Sequence, residues 1–120
     1  MVQEKIVIKH KFLGLNKVIN AERSNRFAAA KIKKEETRVA ELASKGFSFT
    51  DYPVDVVFTW HVKKNRGKYQ DPDNIAASCK QIFDGLQASG ALKDDTHKCI
   101  KSIHHNFVWE SEEDFVEITG

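Results

Sequence analysis

Residues 54–63 carry an apolar side chain at every second position. The apolar set is Val54, Val56, Phe58, Trp60 and Val62, and the polar set between them is Asp55, Thr59, His61 and Lys63. Successive side chains of a β-strand point to opposite faces of its sheet, so this spacing predicts a strand with one buried face. Alternation or apolar density predicts three more strands, at about residues 5–12, 98–109 and 114–119. The segments outside these strands must therefore cover the buried face of the predicted sheet.

Two segments between these strands are rich in helix-forming residues. The first runs from about residue 24 to 45 and stops at Gly46, whose missing Cβ suits the left-handed end of a helix. The second starts at an acidic pair, where Asp73 or Asn74 can cap the first turn, and ends at Gly90. Its apolar stripe is Ile75, Cys79, Ile82, Phe83 and Leu86, and the roughly opposite side carries Asp73, Ala77, Lys80 and Asp84. We expect the apolar stripe to bury against the sheet.

The element order is thus β-α-β-α-β-β, which predicts an α+β fold with a mixed four-stranded sheet and two main helices. A length of 120 residues predicts a single domain over residues 1–120. No apolar run approaches the roughly 18 residues of a membrane span, and the N-terminus lacks the features of a secretory signal. We therefore expect no membrane partner and a cytoplasmic location, with Cys79 and Cys99 as free thiols.

Charge is distributed unevenly along the chain. Residues 1–70 contain 15 Lys and Arg against 7 Asp and Glu, a net charge of +8, whereas residues 71–120 contain 4 against 10, a net charge of −6. This asymmetry favours a polyanionic partner for the first part and a bound cation for the second. Two solvated faces of opposite sign would give the same counts.

The acidic part begins with the segment DPDNIAASCKQIFDGLQASGALKDD, residues 71–95. Asp71 and Asp73 share one face if the chain runs extended into the helix, and Pro72 favours this by keeping Asp71 out of the helical region. Carboxylates placed this closely repel one another unless a divalent cation or protons lie between them. A second acidic pair, Asp94 and Asp95, closes the segment.

A basic run precedes the acidic segment and consists of Lys63, Lys64, Arg66 and Lys68. Magnesium usually takes one or two protein carboxylates and fills its other positions with water or phosphate oxygens. The basic run would attract such a phosphate and offset the repulsion between DNA and the aspartates. Metal, water and phosphate together indicate a phosphodiester hydrolase, in which Lys80 would stabilise the charge that develops in the transition state.

Each of these residues also has an ordinary structural interpretation. Asp73 fits a helix cap, Lys80 and Asp84 fit an i, i+4 surface pair, and Asp94 with Asp95 fits a charged turn. A calcium loop of the EF-hand type is excluded, because Ile75 and Ala76 stand where that loop requires an oxygen ligand and a glycine.

The pattern D-x-D-N, a lysine, D-x-L, a glycine and D-D resembles the signature of the RusA-type Holliday junction resolvases of bacteria and their phages. The segments GLNKVINAERSNRFAAAKIKKEET and FVEITG are similar to other parts of phage-type members. The resemblance implies a homodimeric, magnesium-dependent endonuclease, with Mn²⁺ as a substitute, that nicks two opposing strands of a four-way DNA junction. Such an enzyme serves DNA recombination and repair.

The resemblance assigns the essential, metal-binding acids to Asp71, Asp73 and Asp95, with Asp94 as an alternative to Asp95. Asn74 and Asp84 match supporting positions of the family. We assign phosphate contacts to the basic residues Lys63, Lys64, Arg66, Lys68, Arg23, Arg26, Lys31, Lys33 and Lys34.

One position departs from the family pattern. The family lysine commonly stands three residues after the asparagine, where this chain has Ala77. Lys80 lies one helical turn later on the same stripe and is assigned the role, with Lys68 or another residue of the basic run as the alternative. Two other functions stay open: a nuclease for forks or flaps, and a junction-binding module that has lost catalysis.

Overall fold

The computed structural model describes residues 5–120 as an α+β fold with one mixed four-stranded sheet. The strands are β1 (Ile6–Ile8), β2 (Val54–Lys63), β3 (Ile100–Ser111) and β4 (Phe115–Thr119). The helices are α1 (Leu15–Ser24), α2 (Arg26–Ala43), α3 (Pro72–Ala76) and α4 (Cys79–Ser89). The spatial order of the strands is β1-β4-β2-β3, with β2 and β3 parallel and the other pairs antiparallel. None of the helices described is long and apolar enough to cross a membrane.

The alternating segment forms β2 with the predicted bounds, because one of its faces supplies the centre of the core. Val56 and Phe58 are completely buried and Trp60 nearly so, whereas Val62 at the strand end is half-buried. The apolar stripe of the second predicted helix packs into the same core through Ile82 and Leu86. Both cysteines are free thiols, as expected, with Cys79 half-buried and Cys99 buried.

The helix predicted over residues 24–45 is wrong at its start. It begins at Arg26, because Asn25 has an extended backbone and its side-chain oxygen accepts a hydrogen bond from the Phe27 N–H at 2.9 Å. This is the geometry of an N-cap. The additional helix α1 precedes it and was not predicted, since it buries only Val18 and therefore has a weak apolar pattern. The first strand is also shorter than predicted and covers only Ile6–Ile8.

The helix predicted from the acidic pair to Gly90 is divided at Ala77 and Ser78. There the N–H of Ser78 bonds to the Ile75 carbonyl at 3.1 Å, and the N–H of Lys80 to the Ala77 carbonyl at 3.4 Å. These i to i+3 bonds are those of a 3₁₀ turn, which separates α3 from α4. The N-cap position belongs to Asp71, so the prediction that Asp73 or Asn74 caps this helix is wrong.

Helices α2 and α4 approach each other closely where Gly85 faces Ala40. A Cβ atom at position 85 would lie 2.5 Å from the Thr37 carbonyl oxygen, 2.6 Å from the Ala40 Cβ and 2.7 Å from the Glu41 nitrogen. Two of these atoms are backbone and cannot turn aside. The absence of a side chain at Gly85 therefore sets the distance between the two helices.

Replacement of Gly85 by Ala is expected to destabilise the protein by about 1–3 kcal/mol, because the helices must separate. In an unobstructed helix the same change is stabilising by roughly 0.5–1 kcal/mol. Urea unfolding measures the difference, and the reverse change Ala88→Gly at an exposed position of α4 gives the propensity effect alone. A Gly85→Ala variant more stable than the wild type would contradict the close approach.

Candidate functional site

The acidic segment is exposed along one side of α3 and α4. Asp71 and Asp73 lie in solvent at the start of α3, with Pro72 as its first helical residue. Further on, the Lys80 Nζ lies 3.0 Å from Asp84 Oδ1 and 3.6 Å from Asp95 Oδ2. The structure thus brings Asp95, of the closing acidic pair, back to the lysine on α4.

Lys80 remains a cation in this setting. Its hydrogen bond to Asp84 raises the pKa of the ammonium group, and the charge of Asp95 adds to the effect. Because the side chain is two-thirds exposed, the pair contributes little to the stability of the fold. The ammonium group of Lys80 thus lies at the surface, paired with two carboxylates.

The carboxylates are not gathered into a ready three-ligand site. Within residues 5–120 no group of three or more His, Cys, Asp or Glu side chains is placed to hold a metal ion. Asp94 shapes its own turn, accepting a hydrogen bond from the Thr96 N–H at 3.3 Å. The exposed oxygen donors Asp71 and Asp73 fit the chemistry of magnesium, which needs only one or two protein carboxylates.

Asn74 has a role that its place in the sequence did not reveal. Its side chain is buried, its Oδ1 accepts a hydrogen bond from the Asn16 N–H at 2.6 Å, and its amide contacts Gln70. Asn16 lies in the first turn of α1, so Asn74 satisfies a free N–H group of a helix other than its own. Gly14 makes this contact possible, because a Cβ there would lie 2.4 Å from Gln70 Oε1 and 2.7 Å from Asn74 Nδ2.

A buried carboxyl group on α2 also holds the segment that leads into α1. Glu36 of α2 is 2% exposed and accepts hydrogen bonds from the Leu13 N–H at 2.8 Å and from Gln81 Nε2 at 3.2 Å. Burial raises the pKa of Glu36, while the two hydrogen bonds lower it by a smaller amount. Glu36 therefore ties the segment before α1 to both α2 and α4.

A basic groove of about 490 Å³ opens beside α3. Its charged residues are Lys11, Lys17, Lys63, Lys64, Lys68 and Asp114, and its aromatic residues are His10, Phe12, Trp60, His61, Tyr69 and Phe115. Gln70 and Ile75, which flank the acidic pair in sequence, also line the groove. The structure thus places five lysines next to the start of the acidic segment.

Only some of the basic residues assigned from the sequence line this basic groove. Lys63, Lys64 and Lys68 do, although Lys64 also pairs with Glu112 at 3.2 Å, whereas Arg66 does not. Lys11 and Lys17 were missed. A prediction of α1 would have indicated Lys17, because Lys17 directly follows Asn16, whose N–H group anchors the start of that helix.

The basic residues of the first helical region lie elsewhere. All five, Arg23, Arg26, Lys31, Lys33 and Lys34, are exposed, and none lines the basic groove. Lys33 pairs with Glu22 at 2.8 Å and lines a smaller groove of about 220 Å³ together with Lys80. Lys33 is therefore the member of this set that the structure brings to the acidic segment.

Comparison with known proteins assigns no family to this chain. No protein-family model matches it, and no curated protein matches it either.

Replacement of Glu36 by Gln is expected to flatten the pH dependence of stability. The unfolded carboxyl ionises near its ordinary pKa of 4.5, whereas burial holds the folded pKa higher. The folded state then binds more protons than the unfolded state, so the wild type loses stability as the pH rises from 4.5 through the folded pKa. A glutamine has no such transition.

Urea unfolding at a series of pH values between roughly 4 and 8 measures this effect. The control is Glu35→Gln, which changes the exposed neighbour in the same helix and removes only the smallest of the influences on the pKa of Glu36. Parallel stability curves for Glu36→Gln and the wild type would show that Glu36 is not held in a burial-shifted state.

Proposed function

We propose that the protein is a magnesium-dependent, structure-selective endodeoxyribonuclease of the RusA type that resolves Holliday junctions. The observation that carries this proposal is the contact of Asp95 with Lys80, which joins the end of the acidic segment to α4. A helix cap and a charged turn, taken separately, give no reason for such a contact. The contact between Asp95 and Lys80 is the arrangement expected if both residues belong to one catalytic site.

The turn between α3 and α4 supports Lys80 as the catalytic lysine. Its i to i+3 hydrogen bond joins Ala77 to Lys80, and side chains three residues apart eclipse one another in 3₁₀ geometry. A lysine side chain is long and flexible. From position 80 it can supply charge at the place where the family has a lysine at position 77.

Asp71 and Asp73 would hold the magnesium ion, with Asp95 as the third acid of the site. When bound, the ion polarises a phosphoryl oxygen and lowers the pKa of the attacking water. Mn²⁺ is expected to substitute for it, because both ions prefer oxygen ligands in octahedral geometry. Lys80 then stabilises the negative charge that develops on the phosphate.

The DNA arms would reach this site through the basic groove. Five lysines line it, and Gln70 and Ile75 of the same groove lie next to the acidic pair along the chain. Lysine contacts to phosphates position DNA without reading its sequence, as selection by branched structure requires. The acting form would be a homodimer on a four-way junction, because paired nicks need two sites.

A second candidate is a junction-binding module without catalysis. Two observations favour it: position 77 is Ala, and no three-acid group for a metal is present in the part of the chain that the structure describes. The basic groove would serve this function unchanged. The two candidates differ only in whether the acidic segment performs chemistry.

Replacement of Asp73 by Asn is expected to reduce cleavage of a four-way junction by more than about a hundredfold. The loss of a direct metal ligand should reduce activity more than the loss of a residue that only hydrogen-bonds to a ligand. Binding should be retained or become tighter, because the change also removes repulsion between the carboxylate and DNA phosphates. Cleavage assays and gel-shift titrations measure the two effects. Asp51→Asn, at an exposed turn outside the site, is the matched control.

Loss of binding by a folded Asp73→Asn variant would contradict this proposal. The variant Ala77→Lys, which restores the family lysine, separates the two candidates. If neither it nor the wild type cleaves any branched DNA while both bind, the protein is a binding module and the nuclease proposal is wrong.

Replacement of Lys17 or Lys68 by Ala is expected to weaken junction binding and to reduce the slope of log K against log salt by about one. Each change removes one phosphate contact in the basic groove. Lys45→Ala is the control, because Lys45 is exposed and lines neither groove. An unchanged slope for both groove variants would show that the lysines of the basic groove do not contact DNA phosphates.

A further inference from the structure

Strand β3 forms one edge of the sheet and is long for an edge strand. It has 12 residues, whereas β1 at the other edge has three. Its hydrogen bonds within the sheet go to β2, and no strand from residues 5–120 pairs with its outer side. A long open edge is a template for pairing with another chain, which monomeric proteins usually block.

The same strand exposes apolar side chains on both faces. Ile103 is 44% exposed, Val108 41% and Trp109 38%, so three of the seven exposed large hydrophobic residues among residues 5–120 lie on β3. His105, between them, stacks on Phe58 at 5.1 Å between ring centroids. It also accepts a hydrogen bond from Trp60 Nε1 at 2.9 Å. The middle of β3 is therefore held firmly on β2, while Ile103, Val108 and Trp109 remain partly exposed.

The charges at the two ends of β3 identify what would cover it. Lys98 and Lys101 stand at or just before its beginning, and the acidic residues Glu110, Glu112 and Glu113 stand at or just after its end, with Glu112 also paired with Lys64 within the chain. An antiparallel copy of the strand would place each basic end opposite an acidic end. Cross-strand pairs of opposite charge are stabilising, whereas the same strand in parallel pairing would oppose like charges.

We propose that β3 pairs antiparallel with β3 of a second copy of this chain, about a twofold axis near His105 and Asn106. The two sheets then form one continuous sheet, and the apolar residues of each strand cover those of the other. A twofold axis perpendicular to the sheet keeps the helices of both copies on the same side. The acidic segments of both copies would then face one DNA molecule, a consequence that rests on the proposed function.

The first test is the solution mass of the protein by sedimentation or light scattering. The wild type should have twice its chain mass of 13.7 kDa. Ile103→Lys should raise the dissociation constant of the dimer by at least about tenfold, because each dimer receives two unpaired charges at the strand centre. Val7→Lys places the same charge at an exposed apolar position of β1 and should leave the dimer intact.

The second test does not depend on the stability of the lysine variant. An Asn106→Cys variant treated with a short bismaleimide should form a crosslinked dimer, since the two residues lie close to the axis. Val7→Cys, three strands away, should give only the background of the wild type, which keeps its native thiols. A monomeric wild type, a dimer unaffected by Ile103→Lys, or no crosslink at position 106 would each overturn the pairing. Neither test measures cleavage. A dimeric wild type that fails the tests at positions 103 and 106 would reject this interface alone, whereas the nuclease proposal is decided by the cleavage assays.

Discussion

Two buried polar side chains hold the short segment that leads into α1, and the arrangement of the candidate site depends on them. Glu36 accepts the N–H of Leu13, and Asn74 accepts the N–H of Asn16. Both hydrogen bonds are partly buried and their acceptors are buried side chains, so these contacts limit the freedom of this segment to lie elsewhere. Since Glu36 belongs to α2 and Asn74 to α3, the segment fixes both helices relative to α1.

The contacts of Glu36 and Asn74 with this segment place opposite charges beside each other. They direct Lys17 of α1 into the same groove as Lys63 and Lys68, while Asp71 and Asp73 remain exposed at the start of α3. The close approach of α2 and α4 at Gly85 then places Lys33 and Lys80 around the smaller groove. A polyanion following the lysines would arrive at carboxylates that are free to take a cation, which is the physical basis of the proposed nuclease.

The sequence predicted those elements whose signal is local. Strand β2 was predicted with its observed bounds because alternation over ten residues has only one structural meaning, and the stripe through Ile82 and Leu86 fixed the buried side of α4. Helix α1 was not predicted because it buries a single residue, Val18, and so lacks a clear apolar stripe. The local sequence indicates Asp73 or Asn74 as a cap of their own helix, because the partner that Asn74 has in the structure, Asn16, lies 58 residues away and no local pattern indicates a contact at that separation. The metal-binding role of the aspartates remains a prediction.

The most direct measurement is cleavage by the wild-type protein of three DNA substrates: a synthetic four-way junction, a replication fork and a linear duplex. Each is incubated with magnesium and, separately, with a chelator. We predict paired nicks at symmetric positions of the junction, little cleavage of the other two substrates, and none without the metal. Equal cleavage of linear duplex, or no cleavage of the junction despite tight binding to it, would contradict the proposed nuclease function.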